Sequence, residues 1–517
     1  MSVTTSVLAG RRQWVGLAVL TLPTLLASLE LTIPNLALPA IAEDLSPSSA
    51  QSLWMIDIYG FLLAGSLVTM GTLGDRIGRR RLLLIGATAF GVLSVAAAYA
   101  HSAEMLIVTR ALLGVAGATL MPTSLALVAT MFADSRQRTV AVGVVIASVA
   151  GGTAIGPLIG GWVLEHYWWG MVFLIAAPIT VVFLIVGRIL LPESRRPEAA
   201  RMDVPSAALS LFAVLAVIAG LKTLAEGGQW WLSAGMTVVG LLMGGVFIRR
   251  QRRLDAPLVD LTLFRSSAFS VSLGALLFGV FALFGINFYL AQYLQLVFGL
   301  SPLQAGLWTV PAAAGVIVGS TLAPMLIRWA RPGRVVSSGL VLAAAGFAGL
   351  TQVTPSGGLP VLVVSAVVIS LGLGAMMTLA TDLVVGSAPP ERSGEASALS
   401  ETAPELGGAL GIAVLGSIGT AMFHTRLPPS AATALPAEDA AAVTDTLAGA
   451  VAAAETLPEL AAVELLTAAR QAFTEGLHLV AGINIGLLLL TGTLVSVLLN
   501  RSRPTPAIDD KEARTGE

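Results

Sequence analysis

The stretch Leu53–Arg81, LWMIDIYGFLLAGSLVTMGTLGDRIGRRR, changes character along its length: a long apolar run ends in Gly74-Asp75-Arg76-Ile77-Gly78-Arg79-Arg80-Arg81. A hydrocarbon core about 30 Å thick takes about 20 apolar residues per helix, and basic residues collect on the cytoplasmic side of such helices. The stretch therefore reads as a membrane helix that leaves the bilayer at its basic end. Working outward with the same window gives fourteen segments, beginning near Trp14, Leu53, Leu82, Met105, Val140, Trp169, Val204, Trp231, Ala268, Gln304, Val335, Pro360, Ala396 and Leu477. Little chain remains for a soluble domain. The first run follows Arg11 and Arg12 and includes Glu30, and it is too long for a signal-peptide core, so it reads as a retained helix.

Composition agrees. Of 517 residues, 56% are hydrophobic and 11% charged, with a mean hydropathy of +0.85, whereas soluble domains carry about 25% charged residues. The absence of cysteine removes disulfides, cysteine-ligated metals and thiol catalysis. A net charge of −1 offers no electrostatic footprint for nucleic acid. His101, His166, His424 and His478 are scattered without metal-site spacing, and no phosphate-binding Gly-four-Gly-Lys-Ser/Thr loop is present, which argues against a metal site and an ATPase.

The arginines test the span count. Of 29 basic residues, Arg110 and Lys222 fall inside spans, and Arg426 and Arg470 fall in the long segment before the last span. The other 25 lie at the two ends or in alternate loops: Arg76 to Arg81, Arg136 to Arg138, Arg188 to Arg201, Arg249 to Arg265, Arg328 to Arg334, and Arg392. An even number of helices with both termini cytoplasmic produces that alternation, and one missed span would break it.

Basic, proline-containing stretches bracket the seventh and eighth spans. The expected plan is a cytoplasmic N-terminus (1–13), a six-helix bundle (14–191), two inserted helices (204–248), a second six-helix bundle (268–499) and a cytoplasmic tail (500–517). The loop Ile327–Arg334 occupies in the second bundle the place that Gly74–Arg81 holds in the first, as repeated halves would have it. Residues 424–476 form an alanine-rich, acidic extracytoplasmic segment. Leu457–Phe473 has helical apolar spacing, which reads either as short amphipathic helices outside the membrane or as a solvated linker.

Several local sequences carry a family resemblance. Gly71-Thr72-Leu73-Gly74-Asp75-Arg76-Ile77-Gly78-Arg79-Arg80 resembles the loop signature of the major facilitator superfamily. Leu106–Gly114 resembles its fourth-helix motif with a buried arginine, Arg110. Gly152-Thr153-Ala154-Ile155-Gly156-Pro157-Leu158-Ile159-Gly160-Gly161 resembles the fifth-helix motif of proton-coupled antiporters. With fourteen spans, the chain resembles the fourteen-helix drug:proton antiporters, which include quaternary-ammonium efflux pumps. Leu29–Pro39 matches that group's first-helix motif with Glu30 in place of the usual aspartate, and Ala176 stands where the sixth-helix pattern has asparagine. The resemblance implies an all-α major facilitator fold of two six-helix bundles plus two inserted helices. It implies that the loop with Gly71, Asp75, Arg76, Gly78, Arg79 and Arg80 is an interlock that breaks and reforms during alternating access, and that Gly152, Gly156, Pro157, Gly160 and Gly161 seal the pathway against leakage. A plain stop-transfer loop and ordinary small-residue packing are the simpler readings of the two motifs.

Charges at membrane depth cost about 2.5 to 3.5 kcal/mol each on insertion scales. Glu30, Asp57, Asp382, Glu401 and Glu405 lie in spans, as does Arg110. A carboxylate that alternates between protonated and charged forms can couple proton entry to cation release. Glu401 and Glu405 are four apart, share a helix face, and so titrate as a coupled pair. Each also has a plainer reading: Asp57 as a helix-start residue, Asp382 at the interface, and the glutamate pair at a wet end of its helix. Lys222 and Glu226 read as an interfacial ion pair. An acidic interior favours lipophilic cations, with aromatic and methionine contacts. The expected function is proton-coupled multidrug efflux without a cofactor, the proton gradient supplying the energy. The expected partners are a lipophilic small molecule, protons and the lipid bilayer, with the chain acting as a monomer in the bacterial cytoplasmic membrane. Narrow export of a natural product is the alternative, and a non-transporting sensor is disfavoured for want of an output domain.

Overall fold

The computed structural model describes residues 8–45, 47, 49–194, 203–225, 229–254, 257–389, 392–428, 443 and 446–501; within these ranges the side chains of Asp57, Pro157 and Lys222, among others, lie outside the described set, as does Glu226. The described chain is helical throughout, with no strand among the described residues.

The first three spans are unbroken: α1 (Arg11–Leu45), α2 (Ser49–Ile77) and α3 (Arg79–Ala98). The fourth is two helices, α4 (Ala103–Gly117) and α5 (Leu120–Met131), broken four residues ahead of Pro122, which has no N–H to give the Ala118 carbonyl and sits in the first turn of the new helix. After α6 (Ser135–His166) the sixth span breaks in the same way into α7 (Met171–Leu174) and α8 (Ala176–Leu190), with Pro178 four residues beyond Leu174. The inserted pair is α9 (Val204–Ala225) and α10 (Trp230–Gln251). The rest comprises α11 (Ser267–Gln292), which runs into a π-turn at Tyr293–Val297, then α12 (Pro302–Leu326), α13 (Pro332–Leu350), α14 (Leu359–Ser387), α15 (Ser393–Arg426), α16 (Leu447–Ala454) and α17 (Glu459–Arg501). Among the described residues, thirteen helical segments are long and apolar enough to cross a membrane, and α9, with a shorter apolar stretch at Pro205–Gly220, occupies the remaining position.

Burial divides the helices into two bodies. One apolar cluster draws its buried residues from Leu17 to Leu191, and a second from Leu263 to Val495. The bodies meet where α2 packs on α15 and α6 packs on α12 and α14.

Residues Leu457–Phe473 do not form a separate amphipathic helix. α17 is 43 residues long, or about 64 Å at 1.5 Å per residue, and passes through this segment into the last span because nothing between Phe473 and Leu477 breaks the hydrogen-bond ladder. Its apolar face packs at the non-basic end of the second body. There Leu447 and Ala450 of α16 join Leu465, Ala469 and Phe473 of α17 in the second cluster.

Candidate functional site

The deepest charges in the first body are paired. Arg110 on α4 and Glu30 on α1 form an ion pair at 2.9 Å, with side chains 3% and 6% exposed. Two aromatic rings flank the guanidinium: its central carbon lies 5.5 Å from the Tyr59 ring and 6.0 Å from the Phe173 ring. Both are close enough for cation–π attraction, which strengthens where water is excluded. Beside Glu30 lies a small cavity lined by Leu26, Leu29, Ile33, Val172, Ile175 and Ala176. Apart from the carboxylate its lining is apolar, and Ala176 is the position where an asparagine was expected from the family pattern.

The glycine stripe of α6 builds the wall behind Glu30. A Cβ on Gly152 would stand 2.8 Å from Cβ of Ser28, and one on Gly160 would stand 2.8 Å from Cγ2 of Ile33, while Gly156 faces Thr32. α1 thus lies against α6 on both sides of Glu30, at a separation that only glycine allows. Thr24 and Ser148 add a hydroxyl contact of 2.7 Å across the same helices. Gly161 is off this face, with open space where its Cβ would be.

Glu401 and Glu405 stand one turn apart on α15. Both side chains are half-buried. The Tyr59 hydroxyl, which donates to the Ala27 carbonyl at 3.4 Å, lies within electrostatic reach of Glu30, Arg110 and Glu405. Tyr59 thus belongs to the buried pair of the first body, on α2, the helix that packs on α15 of the second.

Asp382 is placed elsewhere. It is buried at the basic end of α14 and accepts from Arg138 Nε at 2.7 Å and Thr139 Oγ1 at 2.7 Å, both from the start of α6. It links the two bodies and is not gathered with Glu30. Asp57 lies outside the described side chains.

The junction of α2 and α3 is a second link between the bodies, and it is not the loop expected from the sequence: Gly71, Asp75 and Arg76 lie in the last turns of α2, Arg79 and Arg80 open α3, and Gly78 alone separates the two helices. Asp75 is buried, contacts Arg79 at 2.8 Å, and accepts from the Gly394 N–H, at the start of α15, at 3.2 Å. A carboxylate at a helix N-terminus meets unsatisfied N–H groups and the positive end of the helix dipole. Gly71 permits this approach, since a Cβ there would stand 2.6 Å from the Ala398 Cβ. Gly78 has φ of +113°, and a Cβ there would meet Glu193. The Arg80 N–H donates to Glu193 at 3.2 Å, and the Arg80 guanidinium donates to the Leu191 carbonyl at 3.1 Å. Arg79 also donates to the Ala126 carbonyl at 3.1 Å. Arg76 is half-buried beside them.

Sequence reasoning missed Tyr59, Arg138 and Thr139, as well as Asp260, which pairs with Arg392, and Glu395, which accepts from the Asp260 N–H. Arg138 counted only as an orientation marker, and Glu395 resembled any acidic residue in a first helical turn. Tyr59, a polar-tipped ring inside an apolar span, carried no further signal, because the Gly114 and Gly117 that pack on it belong to another helix.

The comparisons with known proteins agree with this architecture. The family model described as Major Facilitator Superfamily matches residues 20–412. The chain is 42% identical over 491 residues to the multidrug efflux pump LfrA of Mycolicibacterium smegmatis, covering 95% of this chain and 97% of that protein. It is 34% identical over 490 residues to the methyl viologen resistance protein SmvA of Salmonella typhimurium, covering 93% and 96%, and 32% identical over 500 residues to the tetracenomycin C resistance and export protein of Streptomyces glaucescens, covering 95% and 93%. Among solved structures, the human organic anion transporter MFSD10 (TETRAN) superposes with a TM-score of 0.59 at 17% identity, covering 93% of this chain and 99% of that one. Two packed helical bodies, a close glycine contact between α2 and α15 that joins them, and relatives matched along nearly the whole chain lead to one conclusion: this multi-pass membrane protein is a transporter of the major facilitator superfamily.

Proposed function

We propose that the protein exports lipophilic, cationic drugs in exchange for protons, by alternating access between its two bodies. The observation that carries this reading is the Glu30–Arg110 pair, a carboxylate and a guanidinium enclosed together beside an apolar cavity. Protonation of Glu30 removes the charge that holds Arg110, so the pair has two states that a proton selects. Glu401 and Glu405 put two acidic groups on one face of α15, a helix that packs on α2 of the other body, and such a face suits a cationic guest and opposes an anionic one. The relatives named as a multidrug efflux pump and as resistance proteins support the drug-export part.

In this reading the basic end faces the cytoplasm, both termini are cytoplasmic, the chain works as a monomer in a bacterial cytoplasmic membrane, and the proton gradient replaces any cofactor. In the same reading the ion pairs at the basic end act to hold that end shut and must part for it to open. A second reading, export of one natural product, is favoured by the relative named for tetracenomycin C resistance and export. Purified protein in liposomes distinguishes the two: with an imposed pH gradient, movement of several unrelated monovalent and divalent cationic dyes supports multidrug export. Movement of one compound alone supports the narrower reading, and preference for neutral compounds contradicts the charge argument.

A further inference from the structure

The inserted pair sits at the seam between the bodies. α9 lies against both α2 and α15, and α10 packs on α9. The start of α9 and the end of α10 are stapled together: Arg250 donates to Asp203 at 2.8 and 2.9 Å, and Gln251 donates to Ser206 at 2.8 Å. Hydrogen bonding from Arg250 holds the Asp203 carboxyl below the usual carboxylate range.

From this staple the chain continues into the seam itself. Gln251, 3% exposed, accepts from the Leu258 N–H at 2.6 Å and the Val259 N–H at 3.2 Å. Leu258 and Val259 are buried with Val68 of α2 and Ala207 of α9, and the partly buried Leu399 of α15 packs against them. Thr72 of α2 donates to the Leu258 carbonyl at 3.2 Å. The Asp260 carboxylate pairs with Arg392, and its N–H donates to the Glu395 carboxylate. Thr72 lies three residues before Asp75, and Glu395 directly follows Gly394. The segment therefore grips the same two helices that the Asp75–Gly394 contact joins.

We propose that residues 257–260 are a strap through which the inserted helices set the opening of the basic end. Moving α2 away from α15 breaks either the Thr72–Leu258 contact or the contacts of Asp260 with Arg392 and Glu395, because Gln251 fixes the strap to the α9–α10 pair. Strap and lock share one hydrogen-bonded network, since Asp75 meets the α15 N-terminus at Gly394, beside the Glu395 that Asp260 contacts, so their effects are coupled rather than additive. The inference rests on alternating access and is independent of proton coupling or substrate identity.

The chain contains no cysteine, so spin labels can be placed at Ile85→Cys on α3 and Arg334→Cys on α13, one on each body, and their separation measured by pulsed electron resonance without substrate or gradient. Asp260→Asn keeps an acceptor for the Thr262 N–H, a bond of 2.9 Å, but removes the charge facing Arg392. The expected result is an increase of about threefold in the ratio of long to short distances, the size of one partly exposed ion pair. Thr72→Val should act in the same direction and serves if Asp260→Asn fails to fold. In an Asp75→Asn background either change should add less than it does alone. Unchanged distances, or equal shifts in both backgrounds, would overturn the strap and leave the exporter reading intact.

Discussion

Glu30 and Arg110 meet at 2.9 Å inside the first body, each more than nine-tenths buried. Such a pair is maintained by geometry: desolvation opposes it, while the attraction is strong only when both charges are present. That makes it a sensitive place for a proton to act. Removing one partner of a buried pair typically costs about 3 to 5 kcal/mol. Glu30→Gln should insert and fold with a lowered melting temperature, and Arg110→Gln in the same chain should recover part of the loss. Equal melting temperatures for wild type and Glu30→Gln would mean that the pair carries no such tension.

The glycine stripe offers an internally controlled test. Gly156 faces Thr32 with no room for a methyl, whereas Gly161 has open space. Gly156→Ala should destabilise by about 1 to 3 kcal/mol through overpacking and impair transport by displacing α1 beside Glu30. Gly161→Ala should leave stability and transport unchanged. Thermal unfolding and dye efflux of the two variants read the difference, and similar behaviour of both would remove the stripe from the site.

Asp382 holds Arg138 and Thr139 across the two bodies. Asp382→Asn is expected to shift the protein toward the state open at the basic end while leaving the dependence of efflux on the proton gradient intact. Labelling of a single cysteine at Ser387, near that contact, measures the first, and efflux at several imposed gradients measures the second. Loss of gradient dependence would return Asp382 to the coupling machinery.

Gly71 and Gly394 bring α2 and α15 into backbone contact, with a Cβ on Gly394 standing 2.6 Å from the Gly71 carbonyl oxygen. Gly394→Ala should weaken the closed basic end more than Ala396→Ser at the neighbouring buried turn. The same cysteine-accessibility measurement ranks them, and equal labelling would show that the close approach has no part in the lock.

The span pattern, the two halves and the inserted pair are legible in the sequence because bilayer thickness forces them into apolar run lengths and arginine placement. The charges of the site are legible for the same reason: Glu30 and Arg110 are conspicuous wherever they point. Their pairing is not, since they lie 80 residues apart and meet only through helix packing. Asp382 is conspicuous too, but its role depends on Arg138, 244 residues earlier in the other body. Glu395 and Asp260 were hidden by their ordinary settings, a first helical turn and a connecting segment. The merged length of α17 escaped notice because a hydropathy window ends where polarity rises, although the helix does not.

The central claim is that a proton on Glu30 drives export. In liposomes loaded with a cationic dye, wild-type protein and Glu30→Gln are compared for exchange of labelled against unlabelled dye without a gradient, and for accumulation driven by an imposed pH gradient. The account predicts that Glu30→Gln retains exchange and loses gradient-driven accumulation. Accumulation at the wild-type level in Glu30→Gln would contradict it.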